Sequence, residues 1–310
     1  MARNRSMPDG EHPVNVDSRT PKPIGRRSFL NLAGGAVAAT VGAAGANPVS
    51  ASDGDDVDVV EIDYDRHRRP SDVYRVWTCE AGQASFTSDL AYDGEQALEI
   101  ALEAGGSCGT NTHFDIAAEF GYQPQEIYDS FMIRLSDDWT MAPDDQCKIS
   151  RAALSYSAGD GHSGGGLPNG ANGWSSGLVI ANRGARPNGQ YNLASYVYHM
   201  DGGRENSGPW ETTRITPGRW HRIEQYLKVN STDGNGAATN DGVYRVWVDG
   251  ELGFERTNYR WTTDTTANAI EYCGPYIRYG GGETAPQNMA AYYDDHAMVF
   301  GTDLDLEQLR

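Results

Sequence analysis

Beyond about residue 60 the chain holds no long apolar run at helical spacing. Its residues fall instead into short alternating segments cut apart by Gly, Asn, Asp and Pro. Alternation at every second position gives an extended segment one face for a core and one for solvent, so the pattern restricts the chain to strands. Candidate strands cover residues 97–102, 126–135, 147–155, 176–181, 193–200, 221–229, 243–248, 276–279 and 291–300. In 221–229 the side chains of His221, Ile223, Gln225, Leu227 and Val229 share one face, and Arg222, Glu224, Tyr226 and Lys228 the other. The 243–248 segment ends at Asp249-Gly250, a tight hairpin signal, so these two segments read as part of a meander. Glycine supplies 37 residues, many in loops such as 159–173, and neither an internal repeat nor a second domain stands out. The expectation is an all-β chain: a two-sheet β-sandwich or jelly roll over residues 61–310, with a polar lead-in over 47–60.

The first 46 residues read as an address. Gly25-Arg26-Arg27-Ser28-Phe29-Leu30 is a twin-arginine signature, and the apolar Ala/Gly-rich run after it is too short for a stable membrane span. Ala44-Gly45-Ala46 offers a cleavage site, so residues 1–46 are expected to be a signal peptide that leaves a secreted protein with no membrane attachment. The whole chain carries a net charge of −18. Removing residues 1–50, with six Lys/Arg and three Asp/Glu, leaves 25 − 6 = 19 basic against 43 − 3 = 40 acidic residues, or −21. Only two lysines remain, Lys148 and Lys228. An acidic surface nearly free of lysine is similar to that of halophilic archaeal proteins, where carboxylates hold hydration and keep chains apart as monomers. No basic stripe is present to neutralise phosphates, which argues against nucleic acid. An anionic glycan is not excluded, because molar salt screens all but charges within about 3 Å. Cys79, Cys108, Cys147 and Cys273 lack C-x-x-C spacing, so zinc is not expected; outside the cell they can form up to two disulfides, with three connectivities open.

A resemblance enters at Gly218-Arg219-Trp220, Asn230, Asp241-Gly242 and Val246-Trp247-Val248-Asp249-Gly250. With Tyr279-Gly280-Gly281-Gly282 and Tyr292-Tyr293-Asp294-Asp295, these segments resemble the concanavalin-like polysaccharide lyases, nearest to polysaccharide lyase families 14 and 20, which hold alginate and glucuronan lyases. The resemblance spans roughly residues 85–300 and implies a concanavalin-like sandwich. It also implies a site on the concave sheet made from a Lys, an S-x-R strand and a Y-x-Y strand. Lys148 falls at the lysine and Tyr196-Val197-Tyr198 at Y-x-Y. The S-x-R strand departs: Ser176 matches, but Leu178 stands where arginine is expected, so Arg151 or Arg183 is a candidate to replace it.

β-Elimination on a uronate must neutralise the C6 carboxylate, remove the C5 proton and protonate the departing O4. Two phenols at i and i+2 on a strand share one face, and a nearby ammonium favours phenol ionisation, so Tyr196, Tyr198 and Lys148 are the expected catalytic set. Cross-strand packing is the alternative for the tyrosines, and a solvated surface position for Lys148. His113 is a candidate base or carboxylate neutraliser, and Gln225, with Arg151, Ser176 and Arg183, a candidate sugar contact. No cofactor is required for this chemistry. Glu61-x-Asp63-x-Asp65 reads as acidic surface or, with Asp294 and Asp295, as a structural calcium site. Asn230-Ser231-Thr232 matches a glycosylation sequon. The function expected is an extracellular lyase acting on an acidic polysaccharide. A non-catalytic carbohydrate-binding module on the same fold and a glycoside hydrolase are the alternatives.

Overall fold

The computed structural model describes residues 57–78 and 83–310, so the signal peptide expected over 1–46, most of the expected lead-in and Cys79 lie outside the described residues. Described residues form two eight-stranded antiparallel sheets. The first runs β14 (Glu251–Tyr259), β13 (Gly242–Val248), β12 (Trp220–Lys228), β6 (Glu126–Leu135), β16 (Met289–Gly301), β4 (Ala97–Leu102), β3 (Ala84–Thr87), with β1 (Asp58–Ile62) also paired to β16. The second runs β10 (Gly203–Ser207), β9 (Tyr191–His199), β8 (Trp174–Ala181), β7 (Gln146–Leu154), β15 (Tyr272–Tyr279), β5 (Cys108–Asp115), β2 (Arg75–Thr78), with β11 (Arg214–Ile215) on β9. Between the sheets lies one large core, including Phe131, Ile133, Ile149, Leu178, Val197 and Phe300.

The expected meander is present as β12, β13 and β14. Asp249 and Gly250 turn it with φ of 51° and 81°, two positive values as a tight I′-type hairpin turn needs. Within β12 the alternation holds: Ile223 and Leu227 enter the core, while Tyr226 lies on the opposite face. That opposite face is covered. Tyr128, Tyr226, Trp247 and Val299 pack under Leu304, Leu306 and Leu309 of the C-terminal segment. Glu126 anchors the segment by accepting from the amides of Asp303 and Leu304, and the Arg310 guanidinium lies 4.1 Å from the Trp247 ring.

A chain of hydrogen bonds crosses the core. Tyr64 and Tyr74 share a 2.7 Å bond, Tyr74 meets His296 Nδ1 at 2.7 Å, and His296 Nε2 donates to Asp129 at 2.8 Å. Gln225 donates to the second Asp129 oxygen at 3.0 Å and accepts from Tyr244 at 2.7 Å and from Ser150, on the other sheet, at 3.1 Å. The Asp294-Asp295 pair has a local role in this chain. There β16 slips register against β6, Asp295 adopts φ 48°, and the bulge turns His296 inward to Asp129.

Three expectations are corrected here. Gln225, expected to contact a sugar, is committed to Asp129, Ser150 and Tyr244 between the sheets. Of the up to two bridges expected, at most one can close, because Cys147 and Cys273 are buried free thiols while Cys108 is disulfide-bonded. Asn230 is fully buried, with its side chain bonded to the backbone of Ser231, Trp261 and Thr262, which leaves the sequon no acceptor. Asp129→Ala would strand His296 and Gln225 without their acceptor. It is expected to cost about 3 kcal/mol or more in guanidinium unfolding.

Candidate active site

With one outer face covered by the C-terminal segment, the chemistry-bearing side chains gather on the outer face of the second sheet. Strand β7 carries the decisive irregularity. Lys148 and Arg151 are three residues apart and would face opposite ways on a regular strand. Pairing with β8 slips between Lys148 and Ser150, and Ser150 turns inward to Gln225. Cys147 and Ile149 remain in the core, so Lys148 and Arg151 both project outward.

Lys148 Nζ lies 4.9 Å from the centre of the Tyr196 ring on β9, and the Tyr196 and Tyr198 rings are 5.8 Å apart. Val197 between them is wholly buried in the core, which fixes both phenols on the outer face. The β7–β8 loop folds over this end of the sheet: the Gly165 amide donates to the Tyr198 oxygen at 3.3 Å, and the His162 carbonyl accepts from Ser175 at 2.9 Å and Arg151 at 3.2 Å. Burial pushes the Tyr196 phenol up to about 12, its bond with Tyr198 adds to this, and Arg204 on β10 opposes it.

Farther along the face His113 on β5 stacks on Tyr272 of β15, ring centres 4.0 Å apart, and its Nδ1 bonds the Tyr156 hydroxyl. Its Nε2 has no partner among the described residues. Burial, reinforced by the Arg151 and Arg75 guanidinium groups, holds His113 well below the usual histidine range. It is therefore a neutral ring, suited to donate or accept a hydrogen bond, and not the cation that would neutralise a carboxylate. In an imidazole NMR titration its signals should stay those of the neutral ring through the range in which an ordinary histidine protonates.

Ser176, expected at the substrate, faces the core together with Leu178, each at most 2% exposed. The alternate face of β8 carries Ser175, Gly177 and Val179, the last paired with Lys148. A Cβ at Gly177 would lie 2.8 Å from the Ser150 carbonyl oxygen, so no side chain fits there. Arg151 pairs directly with Gly177 across the ladder, and with Gly274 on its other side. An arginine thus occupies this region from β7 instead of β8. Arg183 sits beyond the end of β8 and donates to Asn206 at 3.0 Å.

A family model of polysaccharide lyases matches residues 64–296. The chain belongs to the polysaccharide lyase family. It is thus a lyase enzyme, and the binding-module and hydrolase alternatives fall away. Among solved structures, a variant of alginate lyase Aly36B in complex with an alginate trisaccharide is 17% identical, covering 79% of this chain and 98% of that one at a TM-score of 0.57. Alginate lyase vAL-1 from Chlorella virus is 16% identical over 74% and 94% of the two chains, TM-score 0.56. An endo-β-1,4-glucuronan lyase from the fungus Trichoderma reesei is 20% identical over 74% and 90%, TM-score 0.50. At these identities the likeness carries the concanavalin-like fold. No curated protein matches the sequence.

Sequence reasoning on this lyase missed Arg204, Tyr272, Tyr276 and the Gly165 amide. The outward alternation Tyr272, Tyr276, Arg278 was visible in the sequence, but the strand was expected to start only at residue 276. The residues of the calcium expectation do come together: Glu61, Asp63, Asp65, Asp294 and Asp295, joined by Asp93, line a cavity of about 370 Å³ at β1 and β16. Their oxygens are largely engaged, Asp65 by the Glu95 and Gln96 amides, Asp294 by those of Tyr92 and Asp93, and Asp295 by Arg222. Among the described residues the three-residue group whose ligand atoms converge is Asp129, Cys273 and His296, inside the core.

Glu205, beside Arg204 on β10, marks the acid limit of this corner. Burial pushes its carboxyl up, but bonds to Arg256 and Ser207 outweigh that and hold it at about 2. Its stabilising contribution is present above the ordinary carboxylate value and is lost as pH falls from about 4.5 through about 2. In Glu205→Gln, acid unfolding should lose part of its steepness across that window.

Proposed function

We propose that this lyase cleaves uronate-containing, anionic polysaccharides by β-elimination, with Tyr196 and Tyr198 supplying the acid/base phenols and Lys148 and Arg151 the positive charge for the C6 carboxylate. The observation that carries the reading is the convergence of Lys148, Tyr196 and Tyr198 on one outer face, with ammonium and rings within 4.9 and 5.8 Å. In a chain of net charge −18, cations gather on this sheet face: Lys148 opposite Arg278, Arg204 opposite Tyr198, Arg75 opposite His113, and Arg151. Removing the C5 proton drives charge onto the carboxylate, and fixed cations beside it stabilise that transition state more than the ground state. Neutral His113 adds a hydrogen-bonding edge through Nε2. The elimination calls on no redox cofactor, and calcium at Asp294 and Asp295 would act on structure alone. Export by the twin-arginine route, action as a monomer and a high-salt habitat complete the proposal; the signature at Arg26-Arg27 and the lysine-poor acidic composition support them.

The test is to incubate the protein with alginate, glucuronan, heparin-like and ulvan-like polymers in molar salt. Ultraviolet absorbance of the unsaturated product is followed beside new reducing ends. Elimination gives both signals, whereas reducing ends without absorbance, or an uncut polymer, would overturn the reading. Tyr198→Phe should lower kcat by about 10³-fold or more with an unchanged unfolding midpoint. Arg151→Ala should lower kcat more than it raises KM.

A further inference from the structure

The outer faces of the two sheets treat their cations differently. On the first sheet Arg134 meets Asp137, Arg222 meets Asp295, Lys228 meets Glu126 and Arg245 meets Glu255. On the second sheet Lys148, Arg204 and Arg278 form no ion pair among the described residues, although acidic residues outnumber basic ones 43 to 25. Lys148 and Arg278 stand directly opposite each other across the β7–β15 ladder, where like charges cost stability. Cations left without acids in so acidic a chain are complementary to a ligand that brings its own carboxylates.

The path open to that ligand crosses the strands. Side chains are missing on both sides of Arg151, at Gly177 and Gly274, and a Cβ at Gly274 would lie 2.1 Å from the Thr112 carbonyl oxygen. Neighbouring strands lie about 4.8 Å apart, close to the length one 1,4-linked pyranose adds to a chain, so each strand crossed takes about one sugar. Lys148 and Arg151 flank the phenols from β7. On the other flank, Arg204 of the edge strand β10 stands directly opposite Tyr198. Its neighbour on this face, Asn206, is committed to Arg183 and Gln146. The β7–β8 loop closes this flank: the Gly165 amide reaches the Tyr198 oxygen at 3.3 Å, and Leu167, 61% exposed, lies against Gly203. An exposed apolar side chain thus stands beside the residue that precedes Arg204, so one flank offers both a surface for a sugar ring and a charge for its carboxylate.

We propose that Arg204 and Leu167 form the subsite for the sugar on the departing side of the cleaved bond, and that Arg204 selects a uronate there. In the elimination the sugar held at Lys148 loses its C5 proton, and the C5–H electron pair becomes the C4=C5 double bond. The C4–O bond breaks with its pair on oxygen. That oxygen stays on the neighbouring sugar, takes up one proton and becomes the hydroxyl of a new reducing end. One proton leaves carbon, one reaches oxygen, and no other reactant is consumed. With Lys148 on the first flank, the departing sugar lies toward β10. A neutral sugar in that place leaves the Arg204 guanidinium without its anion.

This inference rests on the β-elimination reading, and its test separates the two. The probe is whichever of alginate and glucuronan the wild type cuts, with its carboxyl groups partly and randomly reduced to primary alcohols. Wild type, Arg204→Gln and Arg204→Lys digest it in molar salt. Elimination needs an intact carboxylate on the sugar that becomes unsaturated but is chemically indifferent to the one on its neighbour. The reducing ends of the products, identified by mass spectrometry, therefore report the choice made at the departing-side subsite alone. Wild-type ends should be enriched in uronate about fivefold over the composition of the polymer. Arg204→Gln should return them to that composition, and Arg204→Lys should keep the enrichment. Leu167→Ser should raise KM with the enrichment retained; an unchanged KM removes Leu167 from the subsite. Wild-type ends at the composition of the polymer, or Arg204→Gln ends as enriched as those of the wild type, overturn the assignment and leave elimination standing. If the wild type yields no unsaturated product from either intact polymer, elimination fails and the subsite falls with it.

Discussion

Everything on the outer face of the second sheet depends on one inward bond, that from Ser150 to Gln225. Ser150 shifts the parity of β7 in mid-strand, so that Lys148 before it and Arg151 after it point the same way. Gln225 can hold Ser150 because Asp129 fixes its amide and Tyr244 shares its carbonyl, and Asp129 is in turn set by His296 and Tyr74. Each side chain of this network, from Tyr74 to Ser150, finds a partner, the condition under which a buried polar network orders a core. The cation placement outside is thus determined by side chains that never meet solvent.

Much of the fold was legible because it follows from period-two alternation and turn chemistry. Strands β4 and β6 lie where the pattern put them, and Asp249-Gly250 turns the hairpin it announced. The missed strands have clear reasons. β5 reads Cys-Gly-Thr-Asn-Thr-His-Phe-Asp, with every residue but the last buried, so it shows no alternation of apolar and polar types. β14 is the opposite case: it lies at the sheet edge and leaves most of its residues partly or fully exposed.

The site was legible where it used regular geometry. Tyr196 and Tyr198 stand at i and i+2 on a straight strand, and both project as expected. Ser176 failed by one residue of parity: motif matching placed the serine, but Trp174, Leu178 and Ile180 hold that face of β8 in the core. Arg151 presented the reverse difficulty, since only the β7 bulge turns it toward Lys148. Residues brought in by a neighbouring strand or loop, Arg204 and the Gly165 amide, leave no local signal, because Arg204 meets Tyr198 only across the β9–β10 ladder and the amide lies 33 residues from the phenol it contacts.

The two interior thiols carry a consequence for where the molecule can be assembled. Burial raises Cys147 to about 12 and Cys273 well above the ordinary thiol range, so neither forms the thiolate that attacks a disulfide or meets an oxidant. At these two positions sulfur serves as packing volume. This part of the interior can close under reducing conditions and pass into oxidising surroundings without rearrangement.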